Sequence, residues 1–474
     1  MQKKALAFGL GALLAVSSAV PASAASQIDF SGFYRAYFSN VWNNQYDLSE
    51  DKTNWSGFYN RLQMDFAFHA TDEVSVIWRL RAPASQMWGT GDSGMAAATV
   101  HAFGEVKQDW GTVSIGRLRA DYFYTGLSNL GWRPKGAFGA TDYTAVNPFD
   151  IADDEWEGIR YANRWDSGFQ LVGQFNRLTT GQTFHDTTKP GHEEFTDFYL
   201  LEGAYFWDGG GASLGFHYLR DHAGIKDGDA SGPRLIDGQA LKVFYLNPAL
   251  SHRWDSGFGF HFEGKAGWGT DDNIPSGAPN RKSNGYAFYL DLDYNYGPGN
   301  VNLAGWWASG DDGKDDKAND LVGMGRDFKP LIAAYGANNG RVGRAGSIGS
   351  QSIYGGAVAV ANDRSGTGNG TGGFGKGDYS NHWVLALNGN HSLTDDITVT
   401  YALAKLALNK VQEGASKNIG FEADLGFQVQ LLDNLRFGTG FGYLFAGKAL
   451  KETPTSDKKA ADSYTWLNTL TFSF

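Results

Sequence analysis

The sequence contains no cysteine, and this absence excludes disulfide bonds and any metal site built on thiolates. Proline is also scarce, with 12 residues in a chain of 474. Basic residues are outnumbered, 40 Lys and Arg against 51 Asp and Glu, which gives a net charge of −11. An acidic chain of this kind is not expected to have a nucleic-acid partner.

Long apolar runs are almost absent as well. The single one, from Ala5 to Val20, follows Lys3 and Lys4 and precedes a small-residue cleavage pattern, so residues 1–24 are predicted to be a cleaved export signal. No later run approaches the ~20 apolar residues that a membrane helix needs. If residues 25–474 span a membrane, they must do so as a closed sheet, because lipid cannot satisfy unpaired backbone groups.

Aromatic residues and glycine, by contrast, are abundant. Aromatics make up 15% of the chain and glycine contributes 64 residues. Rings arranged in girdles on the outside of a barrel, with glycines in its turns and crowded interior, explain both excesses. The composition therefore favours a membrane barrel over a large water-soluble domain.

Alternation of apolar and polar residues marks the strands. Within residues 58–70 the even positions, apart from Asn60, carry the apolar side chains Phe58, Leu62, Met64, Phe66 and Phe68. The odd positions carry the polar side chains Arg61, Gln63, Asp65 and His69. Residues 286–296 and 421–431 repeat the pattern. Such segments predict walls with one face toward lipid and the other toward water.

The predicted fold is all-β, a transmembrane antiparallel β-barrel of about 18 strands, within a range of roughly 16 to 20. Short connections rich in Asp and Gly alternate with long ones, which predicts short periplasmic turns and long extracellular loops. The predicted barrel is a single domain over residues 25–474. Its longest connection covers residues 310–379, and another long one covers residues 120–154.

The end of the sequence is a further strand signal. Residues 464–474 alternate and finish at Phe474, which resembles the assembly signal of outer-membrane barrels. Phe474 is therefore expected to act in assembly, and the alternative is an ordinary edge strand that stops at Phe.

Three segments carry a family resemblance. Residues 109–117, Asp-Trp-Gly-Thr-Val-Ser-Ile-Gly-Arg, resemble the strand-turn-strand that precedes the inward-folded third loop of Gram-negative trimeric porins. Residues 158–161 and 166–169 are similar to the strand and turn after that loop, and residues 60–62 to the start of the second strand. Among these porins, the homotrimeric porins of sulfate-reducing bacteria are the nearest resemblance.

The sequence also departs from that family. Trp-Arg-Pro-Lys-Gly-Ala-Phe-Gly at residues 132–139 replaces the acidic loop motif, and residues 310–379 form a longer loop than general porins carry.

The resemblance implies a homotrimer in the outer membrane of a Gram-negative bacterium, in contact with lipid and lipopolysaccharide and inserted by the barrel-assembly machinery. It also implies that residues 120–154 fold into the lumen as a constriction loop. A barrel of this size holds an aqueous lumen. The function expected is that of a porin, a channel for passive diffusion of small hydrophilic solutes and ions.

Charged residues at the constriction are expected to set selectivity. Strand parity turns six arginines inward: Arg35, Arg61, Arg79, Arg81, Arg160 and Arg164. Arg117 joins them by the family match, although its parity turns it outward. The opposing charges expected from the loop are Asp142, Asp150, Asp153 and Asp154. For each arginine, the alternative is a rim position or a salt bridge that fixes the loop.

Two other functions stay open. One is a substrate-specific, sugar-type channel with a file of inward aromatics at Phe33, Tyr37, Tyr289 and Trp306. The other is a surface-structural or adhesive barrel in which residues 310–379 are the working part. No enzyme is expected, because no strained Gly-x-Ser-x-Gly elbow is predicted.

No cofactor is expected either. The weak Ca²⁺ candidates are Asp311, Asp312, Asp315 and Asp316. They lack the spacing and closing Glu of a dedicated Ca²⁺ loop, so a solvated acidic loop is the preferred interpretation.

Overall fold

A computed structural model describes residues 27–42, 55–82, 87–88, 98–119, 155–179, 195–221, 241–271, 281–310, 331–335, 381–411, 414, 416–451 and 462–474. Most of these residues lie in strands, because long alternating runs are separated by tight turns. The strands are β1 Gln27–Trp42, β2 Trp55–His69, β3 Val74–Ala82, β4 Met87–Trp88, β5 Ala98–Gln108, β6 Gly111–Arg119, β7 Glu155–Arg164, β8 Phe169–Thr179, β9 Phe195–Trp207, β10 Gly210–Asp221, β11 Leu241–Arg253, β12 Phe258–Asp271, β13 Arg281–Asn295, β14 Gly299–Ala308, β15 His382–Ser392, β16 Ile397–Leu408, β17 Asn418–Leu432, β18 Leu435–Ala446 and β19 Ser463–Ser473.

Within the described residues, two one-turn helices accompany the strands, α1 Ile332–Tyr335 and α2 Lys448–Lys451. Neither of these helices, in the part of the chain that the structure describes, is long and apolar enough to cross a membrane.

The strands form one closed antiparallel wall. Each strand pairs with the next along the chain, except that β2 pairs with both β3 and β4 and β3 pairs with β5, and β19 returns to pair with β1. The two-residue β4 pairs with β2 beyond the end of β3. Because β3 and β4 together occupy one place in the wall, the wall has 18 strand positions. This confirms the predicted fold class. At the usual strand spacing and tilt, such a wall is roughly 35 Å across between opposite backbones.

Glycines allow the tightest turns between neighbouring strands. Gly168, in the turn from β7 to β8, has φ +87°, a left-handed conformation that residues with a Cβ rarely adopt. A Cβ on this glycine would also lie 2.3 Å from the carbonyl oxygen of Phe206. The turn therefore requires glycine for conformation and for space.

Strand β11 contains a proline, Pro248, and continues past it to Arg253. Proline has no backbone N–H to give to the neighbouring strand, and the ladder between β11 and β12 is interrupted opposite Gly264. The side-chain amide of Asn247 donates instead to the Gly264 carbonyl at 3.3 Å. This replacement lets a proline lie inside the wall.

The seam between β1 and β19 closes the barrel. The N–H of Gly32 donates to the carbonyl of Phe474 at 2.8 Å, and the N–H of Phe474 donates to the carbonyl of Gly32 at 3.0 Å. The Phe474 ring stacks on Phe30 with centroids 5.3 Å apart. The role of Phe474 in assembly stays a prediction, but the residue is part of the closing ladder.

The outer face of the wall carries two aromatic belts with leucines between them. Near the long connections a stacked row crosses five neighbouring strands: Phe175, Tyr199, Tyr218, Phe244 and Trp268. The other belt follows the short turns and includes Trp110, Trp165, Trp207, Trp254 and Tyr296. Exposed leucines lie between the belts, for example Leu201, Leu290, Leu303, Leu387 and Leu403. This arrangement is that of a lipid-facing barrel surface.

On the outer face, the row of residues next to the first aromatic belt is charged. They lie directly opposite one another on six consecutive strands, β6 to β11: Arg117, Glu157, Arg177, Asp197, Arg220 and Lys242. Within the row, Arg177 donates to both oxygens of Asp197, at 2.7 and 2.9 Å. The change from rings to charges marks the edge of the apolar surface.

Candidate functional site

The inner face of the wall is polar, and its charges are divided between two arcs. Arginines predominate on the arc from β18 through β1 to β7, which we call the basic arc. Carboxylates predominate on the arc from β9 to β17, the acidic arc. Amide side chains occupy many of the buried inward positions: Gln170, Gln174, Asn176, Asn247, Asn302 and Asn388.

The centre of the basic arc is a row across β18, β19, β1 and β2. Arg436 lies opposite Thr471, Thr471 opposite Arg35, and Arg35 opposite Arg61. Arg35 is 5% exposed, and its Nε donates to Thr471 Oγ1 at 2.8 Å while Nη1 donates to the hydroxyl of Tyr37 at 3.1 Å. These contacts hold one guanidinium firmly between two others on the same inner surface.

Arg79 and Arg81 extend the basic arc along β3. Arg79 forms an ion pair with Asp65 on β2, and both side chains remain about one-third exposed. Arg81 donates through Nη2 to Gln63 Oε1 at 3.4 Å. The β2 partners orient these arginines within the lumen.

Two further arginines face inward on β7. Arg160 is 7% exposed, lies opposite Ser114 and Gln174, and has its guanidinium carbon 5.7 Å from the Phe103 ring centroid. Arg164 ends the strand next to a short turn, with its guanidinium carbon 4.3 Å from the Phe206 ring centroid. Arg164 therefore lies near the short-turn rim, away from the other arginines.

Arg117 lies on the other face. The pairing of β6 with both neighbours runs without a shift through Gly116, although that glycine has φ +138°. Arg117 consequently shares its side of the strand with Ile115, which is 59% exposed, and lies opposite Ala102. The outward position of Arg117 agrees with strand parity, whereas the family match placed this residue at the base of the 120–154 loop.

The acidic arc was not anticipated as a charged wall. Its inward carboxylates, all at most 6% exposed, are Glu202, Glu263, Asp291, Asp293, Glu422 and Asp424. On β13, Asp291 accepts from the hydroxyl of Tyr289 at 2.9 Å and from Asn302 Nδ2 at 3.2 Å. Hydrogen bonds of this kind offset the free-energy cost of burying a carboxylate.

Arg253 and His261 contact two more carboxylates of this arc. Asp293 accepts from Arg253 Nη2 at 2.6 Å, and Glu263 lies 2.7 Å from His261 Nε2. These contacts fix the two carboxylates on the inner face, where carboxylates predominate over basic side chains.

A piece of the longest connection lies against the acidic arc. The backbone N–H groups of Ile332 and Ala333 donate to Asp424 Oδ2 at 3.1 Å and to Glu422 Oε1 at 2.6 Å. Residues 331–333 are at most 1% exposed. The predicted loop over residues 310–379 thus reaches the inner wall at α1.

Several predicted residues lie outside the described part of the chain. They include the export signal and the constriction loop over 120–154, with Asp142, Asp150, Asp153 and Asp154. The Ca²⁺ candidates Asp311, Asp312, Asp315 and Asp316 also lie outside it. Among the residues that the structure does describe, no group of His, Asp and Glu is arranged to hold a metal ion.

Comparison with known proteins reveals similarity in structure only. No protein-family model matches the chain, and no curated protein sequence matches it. Among solved structures, it is similar to OccK8 (OprE) of Pseudomonas aeruginosa, with a TM-score of 0.50, 10% identity, and coverage of 94% of this chain and 98% of that one. It is also similar to the outer membrane protein OprD of the same organism, with a TM-score of 0.48, 12% identity, and coverage of 94% and 93%.

The fold is that of outer-membrane porins. At these identities the comparison supports the fold alone, and the apolar outer surface with its two aromatic belts independently requires a membrane around the wall. The chain is an outer-membrane-type barrel of the Gram-negative kind.

The inward aromatic residues do not form an open file. Tyr37, Tyr289 and Trp306 face inward as predicted, but each is at most 2% exposed. Tyr289 and Trp306 stack on each other with centroids 6.3 Å apart. Their faces are therefore occupied by packing rather than presented to a passing solute.

One sequence motif requires a structural explanation. Residues 211–215 read Gly-Ala-Ser-Leu-Gly and so match the letters of a nucleophile elbow. Ser213 lies inside the regular strand β10, opposite Ala204 and Ala249, rather than on a sharp turn between a strand and a helix. The motif therefore lacks the geometry that exposes a catalytic serine.

Sequence reasoning missed Arg436, the carboxylates as one arc, and α1. Parity within β13 and β17 had already separated the acidic side chains from the apolar ones. Which strands face each other across the lumen, however, follows only from the closed strand order.

Proposed function

We infer that this barrel is a porin of the Gram-negative outer membrane, a water-filled channel through which small hydrophilic solutes and ions diffuse passively. The observation that carries the proposal is the closed wall of 18 positions with charged, hydrogen-bonded side chains facing inward and rings facing outward. Wall side chains alone do not fill a barrel of this width, which is why barrels of about 16–18 strands leave an aqueous channel.

The two arcs suggest how the lumen treats its solutes. Guanidinium groups on one side and carboxylates on the other produce a field across the channel, which orients dipolar solutes and admits small ions of either sign. Arg35, Arg61, Arg79, Arg81 and Arg160 are the proposed basic members. Glu202, Glu263, Asp291 and Asp293 are the proposed acidic members, in addition to the acidic residues predicted for the 120–154 loop.

Planar bilayer recordings test the proposal directly. Purified protein in detergent should insert in discrete conductance steps whose size rises in proportion to salt concentration, without saturation. A protein that folds, as judged by strand-rich circular dichroism and heat-modifiable gel migration, yet never conducts would overturn the proposal. An unrelated non-conducting barrel prepared in the same detergent is the control.

A sugar-type channel is the second candidate, and stacked Tyr289 and Trp306 are the observation behind it. Ion current that falls to half at a defined concentration of one oligosaccharide, and not of its isomers, would favour this reading. Because both rings are buried, we expect current that decreases only with the size of the added sugar.

An adhesive or structural barrel is the third function. Residues 310–379 would then act outside the barrel, but α1, which belongs to them, packs on the inner wall. Deletion of that loop with loss of surface binding and unchanged conductance would support adhesion.

The proposal includes a homotrimer, which rests on the family resemblance, together with contacts to lipopolysaccharide and the barrel-assembly machinery. Exposed rings on the outer wall, such as Phe30 and Trp78 at 52% and 37%, are the kind of surface that subunits cover. Mass photometry in nanodiscs would give three times the monomer mass. A purely monomeric species in mild detergent would contradict the trimer.

A further inference from the structure

The contact between α1 and the wall has an unusual composition. An apolar one-turn segment at residues 331–335 is held on the inner side of β17 and β18 by two side chains that ordinarily favour water. Both carboxylates accept from backbone N–H groups at the start of the helix, at 3.1 Å for Asp424 and 2.6 Å for Glu422. The first N–H groups of a helix have no partner within the helix, and a carboxylate is a strong acceptor for them.

The wall is also shaped for this segment. Gly442 on β18 lies opposite Asp424 on β17. A Cβ added to Gly442 would lie 2.7 Å from Ile332 Cβ, 2.9 Å from Ala333 N and 2.5 Å from Asp424 Oδ1. No side chain fits there while α1 is in place, so the wall provides a recess as well as two acceptors.

We propose that residues 331–335 are a fixed constriction of the channel, and that Glu422, Asp424 and Gly442 are the positioning residues that hold it against the wall. The inference rests on the proposed channel function. It assigns part of the pore size to a segment other than the 120–154 loop that the family resemblance implies. Loss of the two acceptors releases α1 from the wall and widens the path for ions.

A cysteine-accessibility experiment tests the position of α1 without any conductance measurement. The chain has no cysteine, so Ile332→Cys creates a single thiol at a position that is 0% exposed. In the folded barrel, reaction with a water-soluble maleimide should be slow. Adding Glu422→Ala and Asp424→Ala should raise the labelling rate by at least about tenfold, because buried thiols react only when the segment leaves the wall.

Two controls make the labelling result specific. Lys417→Cys, at an exposed position near the long-loop rim, should react quickly in either background. Glu202→Ala removes an inward carboxylate on β9 that does not bind α1, and it should leave the Ile332→Cys thiol protected. Equal labelling of that thiol with and without the Glu422 and Asp424 substitutions would overturn the proposal.

The conductance experiment then tests the effect on the pore. Gly442→Ala should displace α1 by steric clash with all charges retained, and single-channel conductance should rise by a measurable factor, as it should for the double carboxylate variant. Gly104→Ala is the matched control, since a Cβ there meets nothing within 4 Å.

The outcomes separate the two proposals. Faster labelling with unchanged conductance would show that the carboxylates hold α1 as described but that α1 does not constrict the channel, which refutes the constriction. Absence of any channel in the unmodified protein would refute the proposed function, while the labelling result would still decide whether the carboxylates hold α1.

Discussion

Ion selectivity should depend on the inward arginines and not on Arg117. The double substitution Arg61→Ala and Arg79→Ala removes two positive charges from the basic arc, one opposite Arg35 and one paired with Asp65. Loss of Arg79 also leaves the carboxylate of Asp65 without that partner on the inner face. Both effects should make the lumen more favourable to cations.

The size of the effect follows from Coulomb's law. A guanidinium roughly 8 Å from a passing ion contributes about 0.5 kcal/mol in water. Screening at about 0.1 M salt, where the Debye length is ~10 Å, reduces this to roughly 0.2 kcal/mol. Because cations and anions respond with opposite sign, each arginine changes the cation-to-anion permeability ratio roughly twofold, and the pair changes it about fourfold.

The assay is the reversal potential of single channels under a gradient of KCl, for the unmodified protein and each variant. Arg117→Ala is the matched control, because it removes the same charge from the outward face of β6. We expect a shift toward cation selectivity in the double variant and none in the control. An unchanged double variant, or a shift in Arg117→Ala alone, would refute the assignment of faces.

Three further predictions concern the stability of the wall, measured as the temperature at which the barrel loses its compact migration in a semi-native gel. Phe474→Ala should lower this temperature, because the ring stacks on Phe30 with centroids 5.3 Å apart and such pairs contribute about 1 kcal/mol. An unchanged temperature would show that this ring does not stabilise the closed barrel. Asn247→Ala should destabilise the barrel by about 1 kcal/mol, since it leaves the Gly264 carbonyl without its amide donor; a neutral result would mean that water replaces the amide. Gly168→Ala should destabilise the barrel by at least about 1–3 kcal/mol, because this position has a left-handed backbone conformation. Gly173→Ala is the control and should not destabilise it, since the added Cβ meets nothing within 4 Å. Equal effects of the two substitutions would contradict the strain argument.

Strand positions were predictable because each wall strand follows one local rule. Alternation defined β2, β13 and β17 from their own residues, and short turns containing Asp or Gly separated neighbouring strands. Pro248 inside β11 departs from such rules, because proline usually interrupts a strand. Here a single side-chain amide from Asn247 replaces the missing donor, and no local pattern indicates that substitution.

The candidate site was predictable only where parity was enough. The inward arginines of β1 to β3 required nothing beyond the alternation of their strands. The contact of Ala333 with Glu422 joins residues 89 positions apart in a segment with no apolar period. Arg436 belongs to the basic row only because β18, β19, β1 and β2 are neighbours, and this follows from closure of the sheet rather than from any local pattern.

The strand order has a consequence for how such barrels differ in width. Apart from the β1–β19 pair and the pairings around the two-residue β4, every wall neighbour is also a neighbour along the chain. Duplication of one hairpin would therefore insert two adjacent strands while every other contact, including the closing pair, is retained. Each such duplication would add roughly 4 Å to the diameter, so this architecture can change its bore in discrete steps without redesign of the remaining circumference.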